Sequence, residues 1–425
     1  MKQILVGLVL IAIALASCTP APVLDEDSTP LPPQTPTSTP LTTSESTPPA
    51  PGPTVLRIWV PPQFDPEGDS PASDLLKQRL DSYTAERPDL RIETRVKASS
   101  GTGGLLDSLS SANAAAPLAV PDLILLPRTS LEIAALKGLL FPFDELTEPL
   151  DDGDWYPYAQ ELGQIQTSTF GLPFAGDALV SLYRPSEIEI HPADWSIALE
   201  AGHPIAFPAA EPSASFPLAQ YLSTGGQIQD ADGRPLLEST PLTEMLSFFR
   251  DAEAAGVMPF WLTQFTDDGQ SWEAYTENQV NSVVTWINRY LSTLPGDTAA
   301  APIITQTGTP LTLADGWVLA LSNPQTERHA LSVDLAEYLT DGEFLSEWSQ
   351  AAGYLPPRQS ALEGWTNVAL RVLVEQIILS AQIIPPNDVM AAIGPALSQA
   401  TIDVLKQQSS PVSAANDAIA SLESP

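Results

Sequence analysis

Residues 122–146 read DLILLPRTSLEIAALKGLLFPFDEL. Asp122 opens an unbroken apolar run through Leu126, the pattern of a strand buried on both faces inside a parallel sheet. Pro127, Arg128 and Thr129 then make a loop, and Ser130 to Lys137 reads as a helix. Two similar units precede it. Val55 to Val60 is rich in β-formers and stops at Pro61-Pro62, after which Ser70-Pro71 offers an N-cap and a first-turn proline. Leu76, Leu80 and Tyr83 follow at helical spacing up to Arg87-Pro88. Leu90 to Val96 is a second strand and Gly103 to Ala114 a second helix. The resulting βαβαβα series predicts an α/β fold with a doubly wound sheet. Ligands of such sheets sit beyond the carboxyl ends of the strands, so the turns after Val60 and Leu126 should border a cleft.

Downstream, residues 184–305 carry their own helices, among them Pro241 to Ala255 with Leu242, Met245, Leu246 and Phe249 on one face. They also carry a strand, Val283 to Ile287. A further strand, Trp317 to Leu321, leads to a helix bearing Leu331, Leu335 and Leu339, and the remainder is helical. At 425 residues the chain suits two lobes of roughly 150–200 residues each.

Composition narrows the function. Acidic residues number 52 and basic residues 18, a formal charge of -34. Such a field repels nucleic acid, and no Lys/Arg cluster offsets it. The single cysteine excludes an internal disulfide and a thiolate metal cluster. His191, His203 and His329 lack ligand spacing and read as surface or turn residues, so neither a metal nor another cofactor is expected. The doublets Asp144-Glu145, Asp151-Asp152 and Asp267-Asp268 do not make a glycosidase, because neighbouring acids point to different sides. No nucleophile elbow, HExxH pair or phosphate loop supports other chemistry, and an enzyme is not expected.

The N-terminus speaks to location. Lys2 followed by apolar Ile4 to Ala16 has the layout of a secretory signal over residues 1–17. Leu15-Ala16-Ser17-Cys18 resembles the lipobox of bacterial lipoproteins, which implies cleavage before Cys18 and lipidation of its thiol. Residues 19–53 contain eleven prolines and twelve Ser/Thr with no aromatic residue. A segment of that kind stays extended, and residues 18–53 read as a tether reaching on the order of 100 Å.

Four stretches in order resemble the bacterial extracellular solute-binding proteins of the sugar-binding, maltose-binding-protein-like class that serve ABC importers. They are residues 122–146, Phe170-GLPFAGDALVSLYRP, Gly316-WVLALSNPQTERHALSVDLAEYLTDGEFLSEW and Gly353-YLPPRQSAL. Ser410-PVSAANDAIASL is similar to that family's closing helix. The resemblance implies a two-lobed periplasmic-binding-protein-like fold of class II, with lobe one at 54–177 plus 311–342 and lobe two at 178–310 plus 343–425. It further implies a monomer, lipid-anchored on the extracytoplasmic face of the cell membrane, that captures a small polar solute by hinge closure. The solute would be a carbohydrate, and a membrane permease would receive it. A sensor lipoprotein without a transport role, or a secreted glycoside hydrolase, stays open as the alternative.

By position the resemblance puts Arg128, Thr129, Asp177, Trp286, Trp317 and Tyr354 at the ligand, with Trp59 at the end of the first strand. Thr129 stands where relatives often have aspartate, and Trp286 stands where they often have a small-Asn-Gly phrase. Sugars need flat apolar faces and planar polar groups, which aromatic residues, carboxylates and arginine supply. A strand tryptophan serves equally as core, so Trp59 and Trp286 carry both readings. Trp261, Phe265, Trp272 and Tyr275 are read as core or lobe surface, two of their gaps fitting helix packing.

Overall fold

The structure, a computed structural model, describes residues 53–144, 146–147 and 150–423. The expected signal, Cys18 and all but the last residue of the tether lie outside the described residues, as does Glu145.

The first elements alternate as the sequence predicts: β1 (Thr54–Val60), α1 (Pro71–Ala85), β2 (Leu90–Val96), α2 (Leu105–Ala115), β3 (Leu123–Pro127) and α3 (Arg128–Leu136). Ser70 caps α1, its Oγ accepting the Ser73 N–H at 3.1 Å. β1 pairs in parallel with β2 and β3. Alternation of side chains sorts the helices onto two faces. Leu56, Ile58, Val60, Leu123 and Leu125 meet Leu76, Leu80 and Tyr83 of α1 in one core. Trp59, Ile124 and Leu126 meet Leu105 and Leu109 of α2 and Leu131 of α3 in the other. That is a doubly wound sheet. α3 starts two residues earlier than expected, so Arg128 and Thr129 form its first turn rather than a loop. Pro127 is both the last residue of β3 and the extended residue preceding the helix. α2 starts later than expected, because Gly103 has a positive φ of 76°.

α4 (Pro157–Gly163) and the short β4 (Gln164–Ile165) and β5 (Ser168–Thr169) lead into the long β6 (Gly171–Tyr183). After it come α5 (Trp195–Ala201), β7 (Ile205–Ala206), α6 (Ser215–Ser223), α7 (Ser239–Ala254), α8 (Asp268–Thr276), β8 (Ser282–Trp286), α9 (Asn288–Leu291) and β9 (Ala299–Ala301). The chain returns in β10 (Thr312–Leu321), then α10 (His329–Leu339), α11 (Gly342–Ala352), α12 (Gln359–Glu363), α13 (Val368–Leu379), β11 (Ala381–Ile383), α14 (Asn387–Leu405) and α15 (Pro411–Glu423).

The main sheet runs β2-β1-β3-β10-β6-β8-β7. β6 spans two environments. Gly171 to Ala178 pairs with β10, and Leu179 to Tyr183 pairs with β8. A first half, β2-β1-β3-β10, and a second half, β8-β7 with β9, therefore share one continuous strand. α14 and α15 pack with α7 in the second half, whereas α11 packs on α1 in the first.

Asp122, 1% exposed, fastens the first half. It accepts the Arg57 N–H at 2.8 Å, Asn323 Nδ2 at 2.8 Å, Arg328 Nε at 2.6 Å and Arg328 Nη2 at 2.7 Å. Arg328 Nη2 also donates to the Val55 carbonyl. Of the three histidines, two depart from the surface reading: His191 packs on Tyr183 with its Nε2 buried, and His329 does so more fully. It is 5% exposed, and its Nε2 lies 2.6 Å from the Asn323 carbonyl, closing the same turn. Trp261 and Phe265 touch edge to face at 5.5 Å from a 3-10 turn and its end, not from an α-helix. Trp272 and Tyr275 stack at 5.6 Å on α8.

Candidate functional site

Two carboxylic acids interrupt the two strands that cross the middle of the sheet. Asp177 of β6 stands directly opposite Asp315 of β10 in the antiparallel register. Residues so paired have Cα atoms only about 4.5–5.5 Å apart and side chains on one face. Asp177 Oδ1 accepts the Ala178 N–H at 3.0 Å and the Asn288 N–H, the first of α9, at 3.1 Å. Among the described residues none donates to its Oδ2. Asp315 Oδ1 accepts the Gly316 N–H at 2.7 Å. Burial pushes Asp177 up to about 8 against those two N–H groups, and the charges of Asp315 and Asp268 add to the rise. Burial likewise pushes Asp315 up to about 6, opposed by the Gly316 N–H and by Arg128.

Arg128 enters at the first turn of α3. Its side chain is 13% exposed, and Nε and Nη1 are buried without a hydrogen-bond acceptor. Burial lowers its pKa from the ordinary arginine value, while Glu132, Asp315 and Glu161 pull it back up. A buried guanidinium with open donors is costly until something with oxygen atoms takes them up.

Aromatic rings wall the neighbouring space. Phe64, just beyond β1, lies 5.4 Å from Trp317 and 5.3 Å from Tyr354. Phe174 and Trp348 sit beneath it, at 5.8 and 5.5 Å. Tyr354 is brought beside β6 because Gly176 and Leu355 exchange backbone hydrogen bonds, both 2.8 Å. Burial and the charge of Asp177 raise the Tyr354 hydroxyl above its ordinary pKa. Asn288 Nδ2 holds this segment through the Gly353 carbonyl at 3.1 Å. Beyond Asn288, Arg289 Nη2 pairs with Asp268 at 2.6 Å, and Thr285 Oγ1 donates to the same carboxylate at 2.6 Å.

Asp177 and Arg128 thus lie within charge range of Asp315, Trp317 follows Asp315 by two residues on β10, and Tyr354 lies within charge range of Asp177. Trp286, half-buried, closes β8 opposite Leu179, two residues before Asn288. Thr129 has an exposed side chain, and its carbonyl accepts Asn387 Nδ2 at 2.8 Å. Trp59, 4% exposed, packs among Leu105 and Leu109 with its Nε1 unpartnered, and Lys97 Nζ lies 5.1 Å from its ring. The reading of single residues passed over Asp315, Asn288 and Phe64. For Asp315 the signal was present: an acid inside the strand TLADGWVLAL, where both neighbours are apolar or glycine.

Solved structures with the same fold are numerous. The cyclic alpha-maltosyl-1,6-maltose binding protein from Arthrobacter globiformis aligns at 18% identity and TM-score 0.72, over 87% of this chain and 98% of that one. The sugar-binding protein MalE from Xanthomonas citri aligns at 17% and 0.71, over 86% and 96%. UgpB from Mycobacterium tuberculosis, in complex with glycerophosphocholine, aligns at 15% and 0.66, over 88% and 98%. At such identities the likeness establishes the fold, that of two-lobed binding proteins. No curated protein sequence matches the chain. A family model, that of the bacterial extracellular solute-binding proteins, matches residues 78–370, which is most of the body described above, and the chain belongs to that family.

Proposed function

We propose that the protein captures a small carbohydrate between two lobes and delivers it to the permease of an ABC importer. The lobes would be 54–177 plus 311–342 and 178–310 plus 343–425, hinged where β6 passes from β10 to β8, with α11 the exception, since it packs on α1 of the first half. One observation carries this reading. Asp177 stands opposite Asp315 on the crossing strands, beside a buried Arg128 with unpartnered nitrogens, and the rings of Trp317 and Tyr354 both meet Phe64. Carboxyl oxygens accept from sugar hydroxyls, the guanidinium donates to them, and rings cover the C–H face. Relatives of this fold bind maltose-type sugars and, in one case, glycerophosphocholine.

Lipidation at Cys18 and a tether over 18–53 would hold a monomeric body near its permease. No helix among the described residues is long and apolar enough to cross a membrane, and a lipid anchor needs none.

A thermal-shift screen over mono- and oligosaccharides, polyols and phosphoglycerols tests the proposal. Saturation at 100 times Kd adds roughly 2.7 kcal/mol to folding stability. Sugars that raise the melting temperature and are recovered unchanged support capture. Melting shifted by other solutes and by no sugar ends the carbohydrate reading, and consumption of the sugar would make the protein a hydrolase instead.

A further inference from the structure

Glu132 is a carboxylate only 8% exposed, one helical turn beyond Arg128 on α3. Its Oε2 lies 3.9 Å from Arg128 Nη1, close enough for charge attraction and too far for a hydrogen bond. Its hydrogen bonds come from the opposite end of the chain. The N–H of Asn387, the first residue of α14, donates to Oε1 at 3.2 Å and to Oε2 at 3.1 Å. Asn387 Nδ2 donates to the Thr129 carbonyl at 2.8 Å.

The two helices joined here belong to different halves. α3 packs with α2, β3 and β10, while α14 packs with α6, α7 and α15. α14 begins after Pro386 without a side-chain cap, so its leading N–H groups require acceptors from elsewhere. Glu132 supplies one and places its negative charge at the positive end of a helix of 19 residues.

We propose that Glu132 and Asn387 form a latch between the halves, and that Glu132 is the positioning residue linking it to Arg128. This rests on the capture reading above. Arg128 and Asn387 compete for one carboxylate. Without a solute Glu132 stays on Asn387 while the open donors of Arg128 pull on it from 3.9 Å. A solute that takes up those donors leaves Glu132 to Asn387, which tightens α3 against α14. Closure and occupancy are thereby coupled through a residue that does not touch the solute.

The test uses the full chain with Cys18→Ser and spin labels on the exposed positions Lys137→Cys and Gln399→Cys. Distances are measured without ligand. Proline is tolerated at the first position of a helix, so Asn387→Pro removes both donors while preserving α14. It should shift the distribution to longer distances, lowering the closed population by more than about tenfold, since two donors are lost and one hydrogen bond alone is worth roughly that. Glu132→Gln, which keeps an acceptor and loses the charge, should give a smaller shift in the same direction. If Asn387→Pro retains its helix content and the distribution is unchanged, the latch is refuted. If that variant does not fold, Asn387→Ala, which removes only the Nδ2 bond, decides in the same way. The sugar melting screen reads capture independently. Sugar shifts with an unmoved distance end the latch alone, and a moved distance without any sugar shift ends the carbohydrate reading alone.

Discussion

Asp177 and Asp315 face each other across neighbouring strands, each held by backbone N–H groups. Burial keeps Asp177 near 8 and Asp315 near 6, both above the ordinary carboxyl range. A carboxyl with a raised folded pKa binds its proton more tightly in the folded state. Its contribution to stability is present at low pH and is lost as pH climbs from about 4 through the folded value. Asp177→Asn removes that loss. Against wild type it should be more stable by about 1–2 kcal/mol above pH ~8, the shift being discounted because water reaches part of the residue. The difference should vanish near pH ~4. Parallel stability-pH curves for the two proteins would contradict the assignment.

Arg128→Met keeps the length and apolar stem of the side chain while deleting every donor. It should fold with near wild-type melting and lose most of the ligand-induced melting shift. Losing hydrogen bonds from a charged donor costs about 1.5–3 kcal/mol each. Titration of the sugar found in the screen checks this, and unaltered affinity would remove Arg128 from the site.

Asp122 gathers Arg57, Asn323 and Arg328 in the buried interior of the first half. Asp122→Ala leaves the Arg328 guanidinium without its carboxylate and should cost about 3–5 kcal/mol. Urea denaturation measures it. The loss should exceed that of Lys77→Ala, which removes only an exposed pair with Glu67.

Gly353 has φ 73°, and a Cβ there would lie 2.5 Å from the Ser292 nitrogen. Gly353→Ala should therefore cost more than about 1 kcal/mol and displace Tyr354 from β6. A wild-type melting temperature with a wild-type ligand response would show that the segment can shift without consequence.

Cys18→Ala should release the protein from the membrane fraction of the producing cell. Unchanged fractionation would sink the lipid anchor.

Much of this architecture was legible in the residues because local and tertiary preferences agree. In α1 the Ser70 cap, Pro71 and the Leu76-Leu80-Tyr83 face all point to one helix, and the structure has it. β3 read as a buried strand from its apolar run and pairs on both sides. The failures lie where one residue serves two elements. Pro127 ends a strand and caps a helix at once, so no spacer marks the boundary and Arg128 reads as loop. The site is less legible still, because it is made by register. That Asp315 meets Asp177 depends on how β10 slides against β6, and no local pattern encodes that alignment. Asn288 contributes a backbone N–H, a group that every residue except proline possesses.

The crossing of β6 and β10 also governs when the chain can fold. Leu123 finds its partner in Leu321 and Gly171 in Ala320, so the first half cannot complete its sheet until the ribosome has made most of the protein. Pairings this distant in sequence slow folding, since loop closure must precede the contacts that reward it. The first half of the molecule therefore waits on β10, a strand that the chain supplies only from Thr312 onward.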